Sequence, residues 1–413
     1  MQPLKHFAIY LSAEENTGIL VEDIMAGNNF LFANGLEKKR GALFSAIAIR
    51  QLVKEELLHD HFVVSTSNKN SLSTSSSGEQ RRALLQHILS ANPAYIIVDN
   101  VFESLDAAGQ QTIVSELSRV AAHTVIIQLF YRKTDCLSFI DNVYIIQNGI
   151  VIEEQKTADF LQSSGKQIHF SGSIPPPLKT PAVLGNTLVK MENISIQFNE
   201  RPILQNIYWE IKQGEFWQLT GPNGSGKTTL LSMIIGDSSK GYGQQLYLFG
   251  KKKGTGETVW DIKKHIGYFT SSIAGEFPRM DSVERMLLSG FVDSIGLYSL
   301  PSDQQIKLAG QWLLLLGLYE VRKQPFRLLS LAQQRMVLIA RAMVKHPPLL
   351  ILDEPTAGLD DESALLFVSL INKISAETST AIIYVSHRQE DGLLPGKIFE
   401  LVPTNQGSTG VVS

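Results

Sequence analysis

A single cysteine, Cys136, stands among the 413 residues, so no disulfide can form within the chain and a reducing compartment is its natural setting. Long apolar runs are also missing. None approaches the ~18 to 20 residues that a membrane-crossing helix requires. Excess charge of either sign is absent too: the formal net charge is −3, with 19% charged residues, a balance that argues against a nucleic-acid or anionic-membrane surface. The one basic run, Lys251-Lys252-Lys253 beside Gly254, reads as a solvated hairpin. The opening MQPLKHFAIYLSAEEN lacks the charged start, apolar centre and small-residue cleavage site of a secretory signal. Together these absences predict a cytoplasmic protein whose dealings with a membrane go through a partner.

What is present begins with length, which exceeds one ordinary core and predicts two domains. The stretch GKQIHFSGSIPPPLKTPAVLGNT, Gly165 to Thr187, cannot sit inside helices or central strands, and its three consecutive prolines favour an extended spacer. The expected organisation is therefore a first domain over 1–164, a Pro-rich linker over 165–188, a second domain over 189–403 and a tail over 404–413. The same order of elements recurs on both sides of the linker. EQRRALLQHILSA carries a helical apolar stripe, YIIVD (Tyr95 to Asp99) is a short apolar strand, and QQTIVSELSRVAA and TVIIQLF repeat the alternation. In the second half QQRMVLIARAMVKH, LLILD (Leu349 to Asp353) and AIIYVS (Ala381 to Ser386) do the same. Helix alternating with buried strand is the pattern of a parallel α/β sheet. The chain reads as an internal duplication with unequal copies.

The strongest local signal is GPNGSGKTTL, Gly221 to Leu230. It follows the strand-like EFWQLT, opens a helix and fits G-x-x-x-x-G-K-[ST], a phosphate loop. Within the loop Gly221, Pro222, Asn223, Gly224, Ser225 and Gly226, the glycines let the backbone curl so that successive N–H groups converge on phosphate oxygens at a helix N-terminus. Lys227 is placed to reach the β and γ phosphates, Thr228 to hold Mg²⁺, and Thr229 continues the loop into the helix. PPLLILDEP, Pro347 to Pro355, adds a carboxylate at a strand end: Asp353 for the metal, with Glu354 beside it to polarise an attacking water.

With LLSLAQQRM before that strand, AGLD (Ala357 to Asp360) after it and VSHR (Val385 to Arg388) at the next strand end, the second half resembles the nucleotide-binding domain of ABC ATPases over about residues 189 to 403. The first half resembles it more faintly through SSSGEQRR, YIIVDN, ESLD (Glu103 to Asp106) and the hairpin NVYIIQNGIVIEE turned at Asn148-Gly149. As a whole the chain is similar to tandem ABC ATPases of the molybdenum-transport type, a P-loop NTPase fold with two fused domains, the first truncated. The resemblance implies that Phe198 stacks on adenine, that His387 contacts the γ-phosphate and that Asp360 and Asp106 lie in crossing loops. It also implies that ATP is sandwiched between the phosphate loop of one domain and the signature loop of the other.

The first half carries no phosphate loop. FANGLEKKRGAL is its nearest Gly/Lys-bearing stretch, Asn100 replaces the base, and Phe130 or Tyr131 replaces the histidine. The second half's signature holds Leu331 and Ala332 where the family has glycines. All these defects fall in one composite site. The other combines Gly221 to Thr229, Asp353, Glu354 and His387 with Ser77, Gly78, Gln80 and Asp106, and is complete. Hence the expectation is a monomer with intramolecular domain pairing that binds one Mg-ATP and hydrolyses it. Ser77-Gly78-Glu79-Gln80 opens a helix whose N-terminus meets the γ-phosphate, or else merely caps that helix after a flexible serine run. Ser271 stands where the family usually has the glutamine that joins the metal site to a membrane permease. Two uses stay open: the ATP-binding component of a transporter, peripheral at the inner face of the membrane, or an ATP-gated regulatory protein with little turnover.

Overall fold

Strands such as Tyr95–Asp99 and Leu349–Asp353 are apolar at nearly every position rather than at alternate ones, which suits burial on both faces of a parallel sheet. The computed structural model describes residues 4–28, 35–36, 39–59, 64, 71–75, 77–103, 105–162, 170–179, 185–271, 273 and 280–413. It divides into two units, residues 1–166 with 358–362, and residues 167–357 with 363–413.

The first unit holds one six-stranded sheet. Its strands are β1 (Phe7–Leu11), β2 (Gly41–Ser45), β3 (Tyr95–Asp99), β4 (Val125–Phe130), β5 (Asn142–Gln147) and β6 (Ile150–Lys156), in the order β2-β3-β4-β1-β5-β6. All neighbours run parallel except the β5–β6 hairpin. That hairpin turns at Asn148 (φ 52°) and Gly149 (φ 73°), the double positive φ that tight hairpins need. Along β3, Ile96 and Val98 join one apolar layer and Ile97 the other, as the two-residue period of a strand dictates. Residues 358–362 belong to this unit through Asp361, whose carboxylate accepts from the Tyr10 hydroxyl at 3.1 Å and the Lys133 N–H at 2.8 Å.

The second unit repeats the plan. Its strands are β7 (Thr187–Phe198), β8 (Arg201–Lys212), β9 (Phe216–Thr220), β10 (Gln245–Leu248), β11 (Lys251–Lys252), β12 (Ile266–Thr270), β13 (Leu349–Asp353), β14 (Ala381–Val385), β15 (Lys397–Val402) and β16 (Thr409–Val412). The main sheet runs β12-β13-β14-β9-β15-β16, the first unit's order position for position. The duplication read from the sequence is thus a duplication of topology. A second, four-stranded antiparallel sheet, β11-β10-β7-β8, has no counterpart among the described residues of the first unit, which is therefore the shorter copy.

Three local expectations differ from what is observed. The stretch 404–413, expected as a tail, supplies the edge strand β16. Thr187, expected in the linker, already starts β7. Lys253, expected to be solvated, is only 3% exposed, with its ammonium 4.8 Å above the Tyr242 ring and 3.7 Å from Glu257. A lysine can lie this deep because a carboxylate and a π-face replace part of its hydration. The linker itself lies partly outside the described residues. Its described part packs into the second unit, where Ile174 is buried and its N–H donates to Glu377 at 2.7 Å.

The helix Leu331–Met343, which carries the second signature, is packed tightly enough to exclude a methyl group at one neighbour. A Cβ on Gly290 would lie 2.1 Å from the Arg341 carbonyl oxygen, a backbone atom that cannot swing aside. Gly290→Ala should therefore destabilise the chain by about 1 to 3 kcal/mol, read as a lowered midpoint in thermal or urea unfolding.

Candidate nucleotide site

The parallel register places chemistry at one edge of the main sheet. Asp353, the last residue of β13, pairs with Thr270 of β12 on one side and Val385 of β14 on the other. Beside β14 runs β9, whose end opens into the phosphate loop. Sites in open α/β sheets form outside such carboxyl strand ends.

The loop is built on glycine. Gly221, Gly224 and Gly226 have φ of 139°, 76° and 100°, and Gly226 begins the helix Lys227–Ile234 as its left-handed cap. A Cβ on Gly221 would stand 2.7 Å from the Leu401 carbonyl oxygen, and one on Gly226 2.7 Å from Leu204, so neither position admits a side chain. The Lys227 ammonium donates to the carbonyls of Gly221 at 2.7 Å and Pro222 at 3.0 Å. The Ser225 hydroxyl is buried without a hydrogen-bond partner, a cost unless a ligand oxygen meets it. Glycine cradle, lysine and orphan hydroxyl all fit phosphate. Asn223 and Thr228 are exposed at the loop rim, with Pro222 and Thr229 half-buried. Phe198 ends β7 and is 44% exposed, with the Lys240 ammonium 5.0 Å over its ring.

Glu354 follows Asp353 with φ 46°, unusual for a side-chain-bearing residue. Its N–H donates to the Val385 carbonyl at 2.9 Å, and its carboxylate meets His387 Nε2 at 2.7 Å. That bond holds the Glu354 carboxyl below the usual carboxylate range against the opposing effect of burial. Burial, with Glu354 alongside, pushes Asp353 up, so Asp353 gains from a neighbouring cation. A hydroxyl, Thr228, and a carboxylate, Asp353, are the hard oxygen donors that Mg²⁺ takes. The second signature starts a helix without glycine: Ser330 caps it, with Oγ accepting from the Gln333 N–H at 3.3 Å, and Leu331 is 37% exposed. Ser271 lies in an exposed turn after β12.

The first unit keeps the frame and loses the chemistry. Its sheet order puts β1 where β9 stands, so the counterpart of the phosphate loop is SAEENT, not FANGLEKKRGAL, much of which lies outside the described residues. In SAEENT, Asn16 caps the helix Thr17–Ala26, Glu15 accepts from the N–H groups of Asn148 and Gly149, and the Ala13 N–H donates to Asp360 at 2.7 Å. Asn100 copies the Glu354 backbone, with φ 45° and its N–H on the Leu129 carbonyl at 3.1 Å, yet its amide only donates to Glu103 at 3.0 Å. From the pairing of Asp99 with Leu129, Tyr131 takes the place of His387. The helix Ser77–Ser90 starts where the first signature was expected; the side chain of Ser77 lies outside the described set. Gln80 donates to the Leu72 carbonyl at 2.6 Å, and Asp106 caps the helix Ala107–Ala121. Thus Ser77, Gly78, Gln80 and Asp106 belong to one unit and the phosphate loop, Asp353, Glu354 and His387 to the other.

The model of the ABC transporter family matches residues 204–357. The chain is 37% identical over 329 residues to the ABC transporter ATP-binding protein ModF of Escherichia coli K12, covering 76% of this chain and 67% of that protein. The chain belongs to the ABC ATPases. An uncharacterised ABC transporter ATP-binding protein of Schizosaccharomyces pombe is 29% identical over 78% of this chain and 66% of its own length, so the chain spans about two thirds of these relatives. Among solved structures, the archaeal ribosome recycling factor aABCE1, in complex with the stalk protein aP1, covers 98% of this chain and 85% of its own with a TM-score of 0.63 at 15% identity, a likeness of fold alone. This ABC protein has no helix, among its described residues, long and apolar enough to cross a membrane. Sequence reasoning missed the SAEENT counterpart because no motif marks it; the available signal was the strand FAIYL before it, at the distance at which EFWQLT precedes the glycines.

In the first unit burial, with Glu103 nearby, raises the Asp99 carboxyl to about 6. An acid whose folded value exceeds its unfolded one costs nothing below about pH 4 and its full penalty above about pH 6. Asp99→Asn should therefore stabilise the chain by about 2 kcal/mol at pH 8 and not at pH 4, measured by unfolding at both pH values.

Proposed function

We propose that this ABC ATPase binds one Mg-ATP per chain at a composite site and hydrolyses its γ-phosphate, as the ATP-binding component that drives a membrane permease. The observation that carries the reading is the Glu354–His387 bond of 2.7 Å beside a glycine-built phosphate cradle. Lys227 exchanges its two loop carbonyls for phosphate oxygens, the Ser225 hydroxyl gains a partner and Phe198 offers its face to the base. Thr228 and Asp353 would hold Mg²⁺, which would neutralise phosphate charge there. Glu354, kept ionised by His387, accepts the proton of the attacking water; His387 holds the base in place and donates toward developing charge. Ser77, Gly78, Gln80 and Asp106 complete the site on closure of the two units. With SAEENT in the place of its own phosphate loop and Asn100 in the place of the base, the first unit contributes no second ATP site. A molybdenum oxyanion is the cargo that the sequence resemblance implies.

A second reading, an ATP-gated regulator without transport, rests on Ser271, which lacks the amide expected to face a permease. Co-purification of an integral membrane protein with the chain favours transport; its absence from membranes favours the regulator.

Glu354→Gln keeps shape and removes the base. It should bind one ATP per chain by calorimetry and hydrolyse it about a hundredfold more slowly; an unchanged rate overturns the assignment. Among the described residues, a Cβ on Gly78 would meet Leu105 alone, at 3.9 Å, an ordinary contact. Gly78→Val should lower kcat about tenfold while ATP affinity changes less than about twofold.

A further inference from the structure

Beyond the Glu354–His387 pair lies a buried contact that the proposed chemistry does not use. Thr356 and Glu390 are 6% and 7% exposed, and the Thr356 hydroxyl donates to Glu390 Oε1. The same hydroxyl lies 3.4 Å from the Tyr384 hydroxyl. A glutamate so deeply buried is costly unless it is partnered. Its position is informative: Thr356 follows Glu354 on the turn after β13, and Glu390 follows His387 on the turn after β14.

Two bonds therefore bracket the acid–histidine pair. On one side the Glu354 N–H reaches the Val385 carbonyl; on the other, Thr356 reaches Glu390. The first unit serves as an internal control. It retains the backbone bond, through Asn100 and Leu129. It also retains a tie to the turn from the helix that precedes the strand: Arg81 reaches the Glu103 carbonyl at 2.7 Å, as Arg335 reaches the Pro355 carbonyl at 2.7 Å, two places nearer the strand end. Those two contacts belong to the scaffold. Counted from Asp99, however, the place of Thr356 is taken by Phe102, 4% exposed in an apolar cluster. The copy with Asn100 and Tyr131 in place of base and histidine also lacks the threonine.

We propose that Thr356 and Glu390 are positioning residues of the ATPase: their hydrogen bond staples the turn that carries Glu354 to the turn that carries His387. The staple rests on the hydrolytic reading above for its purpose but not for its existence. Without the bond, the left-handed turn at Glu354 relaxes and the base leaves its line of attack, while the phosphate loop is untouched.

Thr356→Val removes the donor at nearly constant volume, and Thr356→Ser restores it. Expected for Thr356→Val is a fall in kcat of about tenfold or more with KM for Mg-ATP within about twofold, with recovery to near the parental rate in Thr356→Ser. Glu390→Gln keeps an acceptor oxygen and should fall between the parent and Glu390→Ala. Independently of turnover, the backbone amides of Glu354, Thr356 and Ala357 in the nucleotide-free chain should exchange with deuterium about tenfold faster in the Thr356→Val variant than in the Thr356→Ser variant. Equal exchange and equal kcat in the two variants overturn the proposal, as does a loss that appears in KM alone. If Thr356→Val does not fold, the ordering of Glu390→Gln above Glu390→Ala decides, and equal rates for those two reject the staple. If the parent chain turns over no faster than Glu354→Gln, the hydrolytic reading fails, and the exchange rates still decide whether the staple holds the turn.

Discussion

Asp353 and Val385 lie in register at the ends of adjacent buried strands, and the nucleotide site depends on that pairing. Two parallel strands ending together put two turns side by side. One must reverse sharply, through the positive φ at Glu354, to keep its N–H on the neighbouring strand's carbonyl. That reversal aims the Glu354 side chain at the turn that follows β14, where His387 meets it. Had the register slipped by one residue, every side chain of β13 would change face and Asp353 would point into the apolar layer.

The same constraint explains what the two copies share and where they part. Sheet order, the reversed backbone at Asn100 or Glu354 and the arginine tie to the following turn belong to the fold, and both units keep them. The glycine loop, the Glu354–His387 bond and the Thr356–Glu390 contact carry the proposed chemistry, and among the described residues they occur in the second unit. In the first unit the phosphate-loop position is taken by a loop whose glutamate holds a hairpin turn and whose alanine N–H meets a carboxylate. Groups that would face phosphate instead satisfy protein, so the loop serves the stability of its own unit.

Charge follows the same division. In the second unit, the Lys227 ammonium lies near both Asp353 and Glu354, and His387 bonds the Glu354 carboxylate. In the first, Asp99 is buried with Glu103 as its charged neighbour, and its carboxyl is pushed toward neutrality.

Much of this was legible in the sequence, because it depends on short spacings. The glycine spacing of Gly221 to Thr228, apolar strands ending in Asp99 and Asp353, the helices after Ser77 and Ser330 and the Asn148-Gly149 turn are all local, and local sterics fix them. Other features depended on distance in the chain. The SAEENT loop could be matched to the phosphate loop only through sheet order, since it holds neither glycine nor lysine. Lys253 reads as a surface lysine until folding brings Tyr242 and Glu257 around it, and the last ten residues read as a tail until β15 offers them an edge to pair with. The contact between Thr356 and Glu390 has no spacing to betray it. The sequence by itself determined which elements form and which residues can do chemistry, because backbone conformation and side-chain type are properties of neighbours; tertiary structure decided which of them meet, because hydrogen bonds between turns exist only once parallel strands have set their register.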